Sequence, residues 1–303
     1  MTDYRATPAT DALYRLAEGI LWDDREGLAR WVDISTGRVL AAELRDGRLH
    51  TVQDIAIGQT AGAVGLAEDG GLVVAAARGI ATISVSGEIS IGPDILQAHP
   101  GSMCNDAAVD PQGRFVVGTL TSDQDTGTEV LLRVSPDGRV EVIRDGIRLS
   151  NGIAFSPDGA TIYHVDTFAR TIASHSYGPG EFDAKEPWAT VLDDLAPLPD
   201  GLTVDSEGAL WLAYWGGSNA SRYAPTGELL DVVTVDATQA SCPGLIGPGL
   251  TTLAITSAQD GLAEFSDQSG AIFLTEVPVP GVPEHRWAGS TSQPYWLPKP
   301  IGD

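Results

Sequence analysis

Oxygen-bearing side chains recur at equivalent places in a repeated pattern of this sequence. Each equivalent position opens an apolar run that leads into a tight turn, and successive positions follow at intervals of 43 to 49 residues. The positions hold Glu18, Gly62, Asn105, Asn151 and Asp200. Carboxylate and amide oxygens are the ligands that hard divalent cations such as Ca²⁺, Mg²⁺ and Mn²⁺ prefer. If the fold gathers these positions, the sequence predicts a metal site.

The clearest copy of the pattern is a predicted β-hairpin over residues 149–166. It consists of an alternating apolar run from Leu149, the turn Ser156-Pro157-Asp158-Gly159 and a second β-rich run. A repeat of four short strands at this period is typical of a β-propeller blade. Six copies are read along the chain, and no sustained helical period interrupts them. The predicted fold is therefore all-β, a six-bladed β-propeller with a central channel.

The predicted domain organisation is simple. Residues 1–11 are expected to be a disordered lead-in, and residues 12–303 are expected to form one propeller domain. The segment Leu13–Leu16 is predicted to close the ring by joining the last blade. The Pro-rich tail from Pro278 onward is predicted to wrap a surface.

The repeat converts positions in the sequence into neighbours in space. Each blade contributes its innermost strand to the channel, so equivalent residues of different blades lie at similar height and radius. Buried carboxylates without a partner cost several kcal/mol, and a bound cation removes that cost. Each of these residues taken alone also suits an ordinary turn, so only the shared register favours a metal.

Composition excludes several classes of partner. The chain has 303 residues and a formal net charge of −23, which disfavours nucleic acids and anionic membranes because both need a cationic face. Two cysteines cannot form a disulfide framework. Neither a secretory signal nor an apolar run of about 18 residues is found. We expect a cytoplasmic protein that acts on a small molecule, and the sequence does not determine its oligomeric state.

These residues lie in motifs that resemble the SMP-30/gluconolactonase family, which includes the regucalcin-like proteins. The resemblance spans Leu13 to Trp287, and each motif is weak alone whereas the ordered set is specific. The matching segments are Ala17–Asp23, Trp31–Ile34, Asn105-Asp106, Val109–Phe115, Gly118-Thr119, Ser150–Gly152, Ser156–Gly159, Asp166-Thr167 and Pro199–Asp205. The resemblance implies a six-bladed propeller with one divalent metal ion in its channel, Ca²⁺ or else Mg²⁺, Mn²⁺ or Zn²⁺.

The resemblance also implies roles for individual residues. Glu18, Asn151 and Asp200 would be the metal ligands, Asn105 would contact substrate beside the metal, and Asp123 would lie in a loop near the substrate. The implied reaction is hydrolysis of a lactone. In our hypothesis the ion polarises the carbonyl and Asp200 accepts a proton from the attacking water.

Two departures from the family pattern concern the substrate pocket. Met103 stands where the family usually has Arg, so a donor to a sugar hydroxyl or carbonyl is missing. The substrate is accordingly predicted to be a sugar-acid lactone or a less polar one. Leu245-Ile246-Gly247 replaces a usual Phe-Gly-Gly and alters a predicted pocket wall.

Two other functions stay open. The same cation could polarise a phosphoryl oxygen in a phosphotriester-type hydrolase. A non-catalytic propeller that binds Ca²⁺ or a small ligand is the alternative from a different class, which Met103 favours and Asp200 disfavours. A serine hydrolase is disfavoured because the sequence has no Gly-x-Ser-x-Gly motif.

Overall fold

The computed structural model describes residues 2–121, 127–178, 182, 186–264, 266 and 268–298. Within these ranges every regular element is a β-strand, and no helix is long and apolar enough to cross a membrane. The first fourteen strands are β1 (Thr2–Arg5), β2 (Thr7–Pro8), β3 (Ala17–Asp23), β4 (Leu28–Asp33), β5 (Arg38–Arg45), β6 (Arg48–Ala56), β7 (Ala61–Ala67), β8 (Leu72–Ala76), β9 (Gly79–Ile83), β10 (Ile89–Asp94), β11 (Met103–Val109), β12 (Phe115–Leu120), β13 (Glu129–Val134) and β14 (Val140–Ile147). The remaining strands are β15 (Ser150–Phe155), β16 (Thr161–Asp166), β17 (Thr171–Ser176), β18 (Ala189–Leu192), β19 (Leu198–Val204), β20 (Leu210–Trp215), β21 (Asn219–Tyr223), β22 (Leu229–Thr234), β23 (Gln239–Ile246), β24 (Thr252–Ala258), β25 (Phe273–Glu276) and β26 (Arg286–Trp287).

The hairpin predicted around the Ser156–Gly159 turn is present as β15 and β16. The turn closes because the amide of Gly159 donates to the carbonyl of Ser156 at 2.7 Å and the Asp158 carboxylate accepts from the amide of Ala160 at 3.0 Å. Gly159 has a φ of 69°, a left-handed conformation that glycine adopts without a steric penalty. The two strands then pair in antiparallel register, with Phe155 opposite Ile162.

The strands form a propeller-like arrangement of antiparallel sheets, and the all-β prediction is confirmed. The described strands make five sheets rather than six separate ones. Four of the sheets are meanders of four consecutive strands, β3–β6, β7–β10, β11–β14 and β15–β18, and β26 adds to the second. The fifth sheet has nine strands and holds two meanders, β19–β22 and β23–β25, which share only the pair Trp215 and Gln239.

The amino terminus corrects one expectation, because residues 2–8 are not a disordered lead-in. β1 pairs in parallel with β22, and β2 pairs antiparallel with β25. Both partners would otherwise be edge strands with unpaired backbone groups, so pairing with the amino terminus satisfies those groups. Ala6 and Ala9 are fully buried beside these strands.

The segment Leu13–Leu16 does not form the predicted closing strand. The segment nevertheless joins the last blade as predicted: Leu16 makes an isolated bridge to Ala258, and the amide of Tyr14 donates to the carbonyl of Gly270 at 2.9 Å. Two residues, Thr7 and Pro8, instead supply the outer strand of the β23–β25 meander.

The hydrophobic cores lie between neighbouring sheets. One core joins Tyr163 and Val165 of β16 to Leu202 of β19 and Leu210 of β20. Another joins β12 and β13 to β15 and β16 in the same way. Because each inner strand is packed against its neighbours, its height along the channel is set by these cores.

The tail from Pro278 onward contacts several sheets. The amide of Ser206 donates to the carbonyl of Pro280 at 2.8 Å, and Arg286 of β26 pairs with Leu66 of β7. Arg286 also forms an ion pair with Asp23 at 3.3 Å. The tail therefore connects the nine-stranded sheet to the sheets of β3 and β7.

Deleting residues 1–8 should destabilise the protein, because it exposes the edges of β22 and β25 and removes the buried Ala6. We expect the midpoint of thermal unfolding, followed by circular dichroism, to fall by about 5 °C or more. Deleting only residues 1–5 keeps β2 and should cost less. Equal midpoints for the full chain and the shorter chain lacking residues 1–8 would contradict closure through β2.

Candidate functional site at the channel mouth

A β-bulge interrupts every inner strand at the same height. In β11, β15, β19 and β23 two residues oppose one on the neighbouring strand, and β3 has the same irregularity directly after Glu18. β7 carries one extra residue at Gly62. A bulge leaves its extra residue unpaired and redirects the side chain, and bulges are frequent beside active sites. The first bulge residues of β11, β15 and β19 are Asn105, Asn151 and Asp200.

The bulges bring the predicted residues to one cavity of about 220 Å³. Its polar lining consists of Glu18, Asn105, Asn151, Thr167 and Asp200. Each of the four predicted side chains is between 4% and 8% exposed. The structure therefore brings together, at one end of the channel, the four residues that the repeat predicted to be neighbours although they are far apart in the chain.

Hydrogen bonds orient the two amides at the floor of the cavity. The Nδ2 atom of Asn105 donates to the carbonyl of Ser150 at 2.8 Å and lies 3.4 Å from the Oδ1 atom of Asn151. The Nδ2 atom of Asn151 donates to the Thr167 hydroxyl at 3.1 Å. That hydroxyl donates in turn to the carbonyl of Pro199 at 2.8 Å. Both amide nitrogens are thus directed at protein acceptors.

Thr167 is the residue of the site to which sequence reasoning assigned no role. It lies in the Asp166-Thr167 motif, which was noted only as part of a resemblance. Its hydroxyl connects Asn151 on β15 to the residue before Asp200 on β19. The Asp166-Thr167 motif was the only sequence feature that pointed to Thr167. Its hydrogen-bond acceptor, the carbonyl of Pro199, lies 32 residues away in the chain and is revealed only by the fold.

The carboxyl groups of the site repel one another. Burial, followed by the charges of Asp200 and Asp106, raises the pKa of Glu18 well above its ordinary value. Burial and then Asp106 raise the pKa of Asp200, while a hydrogen bond from Asn151 acts in the opposite direction. Burial also raises the pKa of Asp106 to about 7. Asp106 lines a second cavity, of about 100 Å³, on the other side of the bulges.

The carboxylate and amide oxygens of this site fit a divalent cation. Two buried carboxylates would be stabilised by a positive charge between them. The amide nitrogens of Asn105 and Asn151 are directed at protein acceptors, so their amide oxygens remain as further possible metal ligands. Among the described residues no group of three or more His, Cys, Asp and Glu side chains is placed to hold a metal. A cation at this mouth would therefore need amide oxygens in addition to the carboxylates of Glu18 and Asp200.

Of the other predicted pocket residues, those within the described ranges do not line this cavity. Met103 lies on β11 two residues before Asn105, is half-buried and pairs with Leu120, which does line the cavity. Asp123 lies outside the described residues. Leu245 is buried on β23, with its side chain against Gly281 of the tail, so its departure from the family pattern affects the tail contact.

The fold and this mouth define a class: an all-β, propeller-like protein whose inner strands converge on one polar site. The sequence profile of the SMP-30/gluconolactonase/LRE-like region matches residues 16–259. The chain therefore belongs to the SMP-30/gluconolactonase family, and the resemblance found in the sequence is confirmed.

Individual relatives agree with this assignment. A 6-deoxy-6-sulfogluconolactonase of Pseudomonas putida is 34% identical over 90% of this chain and 95% of that protein. Pentonolactonase XacC of Haloferax volcanii is 32% identical over 92% and 97% of the two chains. The crystal structure of a calcium-binding protein, regucalcin, from Agrobacterium tumefaciens superposes with a TM-score of 0.84 at 26% identity, covering 95% of this chain and 99% of that one.

The raised carboxyl pKa values predict how the stability of the metal-free protein depends on pH. A carboxyl group whose pKa is raised by folding contributes stability below its unfolded pKa, near 4, and that stability is lost as the pH rises through the folded value. For Asp106 this window runs from about pH 4 to about pH 7. Glu18 and Asp200 shift in the same direction.

Replacing Asp200 by Asn removes one of these charges. In excess chelator, we expect D200N to unfold at a higher temperature than the parent protein at pH 8, with a smaller difference at pH 5. Asp46→Asn, at an exposed turn, should show no such dependence on pH. Identical pH profiles for D200N and the parent would contradict the mutual repulsion.

Proposed function

We propose that this protein is a hydrolase that opens the ester bond of a lactone. The observation that carries the proposal is the convergence of Glu18, Asn105, Asn151 and Asp200 on one cavity in a member of this family. Relatives over nearly the whole chain are named as lactonases, which supports the same reaction class here.

We further propose that one divalent metal ion, Ca²⁺ or else Mg²⁺, Mn²⁺ or Zn²⁺, is held by Glu18, Asn151 and Asp200. When bound, such an ion polarises a carbonyl and stabilises negative charge that develops on its oxygen. The name of the regucalcin neighbour, a calcium-binding protein, supports a divalent cation. The repulsion between the buried carboxylates of Glu18 and Asp200 supports the same assignment.

We assign the proton transfer and the substrate contacts to individual residues of this chain. Asp200 accepts a proton from the attacking water, and the low exposure of the carboxylate, 4%, keeps bulk water away from it. Asn105 contacts the substrate beside Asn151, with its amide orientation held by the carbonyl of Ser150. Met103 and Asp123 are proposed to contact the part of the substrate that is farther from the reacting bond.

The domain predicted over residues 12–303 is proposed to be a six-bladed propeller that also includes residues 2–8. The nine-stranded sheet counts as two blades, because the only ladder pair between its two meanders joins Trp215 and Gln239. β2 supplies the fourth strand of the β23–β25 meander, and β1 extends the β19–β22 meander.

Acid release from a panel of lactones, followed with a pH indicator, tests the proposed reaction. We expect turnover that chelator abolishes and added divalent cation restores. Asp200→Asn should lower kcat about 10²- to 10⁴-fold, because it removes the base, while circular dichroism stays unchanged. Asp46→Asn is the matched control and should retain activity.

Two outcomes would overturn this proposal. Near-normal turnover in D200N would contradict the role of Asp200. Tight metal binding without turnover of any lactone would identify a binding protein instead of an enzyme.

The Thr167 hydroxyl should position the metal ligands without touching the substrate. Thr167→Val keeps the shape of the side chain but leaves the Asn151 amide and the Pro199 carbonyl without their partner. We expect metal affinity, measured by competition with a chelating dye, to fall about 10- to 100-fold. Thr167→Ser retains the hydroxyl and should stay close to the parent value. Equal affinities for the two variants would contradict this role.

A further inference from the structure

Seven apolar side chains surround the polar floor of the cavity. Each is partly exposed to solvent instead of buried in a core. They are Leu16, Ile34, Leu120, Leu149, Phe168, Leu198 and Trp215. Single apolar side chains scattered over a protein surface are common and need no explanation. A contiguous group of them around a concave polar centre instead indicates a binding surface.

Three leucines of the wall precede the polar floor residues in the sequence. Leu16, Leu149 and Leu198 each stand two residues before a polar residue of the floor, namely Glu18, Asn151 and Asp200. Each leucine lines the cavity together with the polar residue that follows it.

The neighbouring strands add a second part of the wall. Leu198 pairs with Trp215 across β19 and β20. Leu120 ends β12, and Ile34 follows the end of β4. These four side chains come from three meanders, and Leu149 and Phe168 add a fourth, so the apolar wall borders the floor on more than one side.

Within the part of the chain that the structure describes, the polar groups lining the cavity are confined to its floor. Both amide nitrogens and the Thr167 hydroxyl already bond to protein atoms. Among the described residues that line the cavity, none is Lys, Arg or His. A polyhydroxylated ring would place hydroxyl groups against leucine and tryptophan, where they would lose hydrogen bonds to water without replacement. An anionic substituent would therefore meet no cation among the described side chains of the wall, and the guanidinium of Arg148, beside the wall, already donates to the carbonyl of Phe168 at 2.6 Å.

We propose that the lactone taken by this site is uncharged and carries an apolar alkyl or aryl substituent. This inference rests on the proposed lactonase function and specifies its substrate class. The lactone ring lies on the polar floor, with its carbonyl towards the position where Glu18, Asn151 and Asp200 would hold the cation. The substituent extends along Leu149, Leu198 and Trp215 towards solvent.

The test compares kcat/KM for γ-lactones of increasing alkyl chain length with hydroxylated lactones of the same ring size, using the full-length protein with added Ca²⁺. Each buried methylene contributes about 0.8 kcal/mol, so kcat/KM should rise about threefold to fourfold per methylene until the cavity is filled. Hydroxylated lactones should be poorer substrates than the alkyl lactones. A preference for the hydroxylated series would overturn the inference and leave the lactonase proposal intact.

Substitutions in the wall provide a second test. Leu149→Gln and Leu198→Gln place a polar group on the wall and should each lower kcat/KM for the longest alkyl lactone about tenfold, with little change for the unsubstituted ring. Leu229→Gln, at a side chain on β22 that is 38% exposed, is the matched control and should change neither value. Equal losses for the substituted and unsubstituted rings would contradict a wall contact with the substituent.

Binding of lactams separates failure of this inference from failure of the proposed function. Calorimetry with alkyl lactams and hydroxylated lactams of the same ring size needs no turnover. Tighter binding of the alkyl lactam supports the inference even if no lactone is hydrolysed. Tighter binding of the hydroxylated lactam, or no binding of either, overturns it.

Discussion

The burial of carboxyl groups that also repel one another is the constraint on which this structure depends. Glu18 and Asp200 come from sheets that are far apart in the chain, yet the channel holds both in a setting that disfavours their ionised forms. Stability alone does not favour collecting such groups, because apolar side chains would pack there at lower cost. Their presence at one mouth is therefore best explained by the function of the site.

The bulges are the local device that creates this arrangement. In a regular strand the residues of the floor would take part in the antiparallel ladder. The extra residue in each inner strand releases Asn105, Asn151 and Asp200 from strict pairing and directs them to a common point. Thr167 then connects two of the strands, so the orientation of Asn151 is tied to the backbone beside Asp200.

The floor of the cavity is polar and its wall is apolar, and the two concern different aspects of the proposed function. The floor holds the residues of the proposed reaction, and relatives with 34% and 32% identity are named 6-deoxy-6-sulfogluconolactonase and pentonolactonase. The wall concerns the proposed substrate class. Leu149, Leu198 and Trp215 offer no hydrogen-bonding groups that would replace water around a sugar, except the indole N–H of Trp215, so the proposal separates reaction class from substrate class on one scaffold.

By itself, the sequence determined the strand content, the repeat and the register that aligned Glu18, Asn105, Asn151 and Asp200, because strand alternation and turn chemistry are local. It also determined membership of the family through an ordered set of short motifs. Only the tertiary structure decided how the ring closes, since pairing of residues 2–8 with β22 and β25 joins segments more than 200 residues apart. The link through Thr167 and the apolar wall were likewise decided there, because both arise from contacts between strands that the chain order does not reveal.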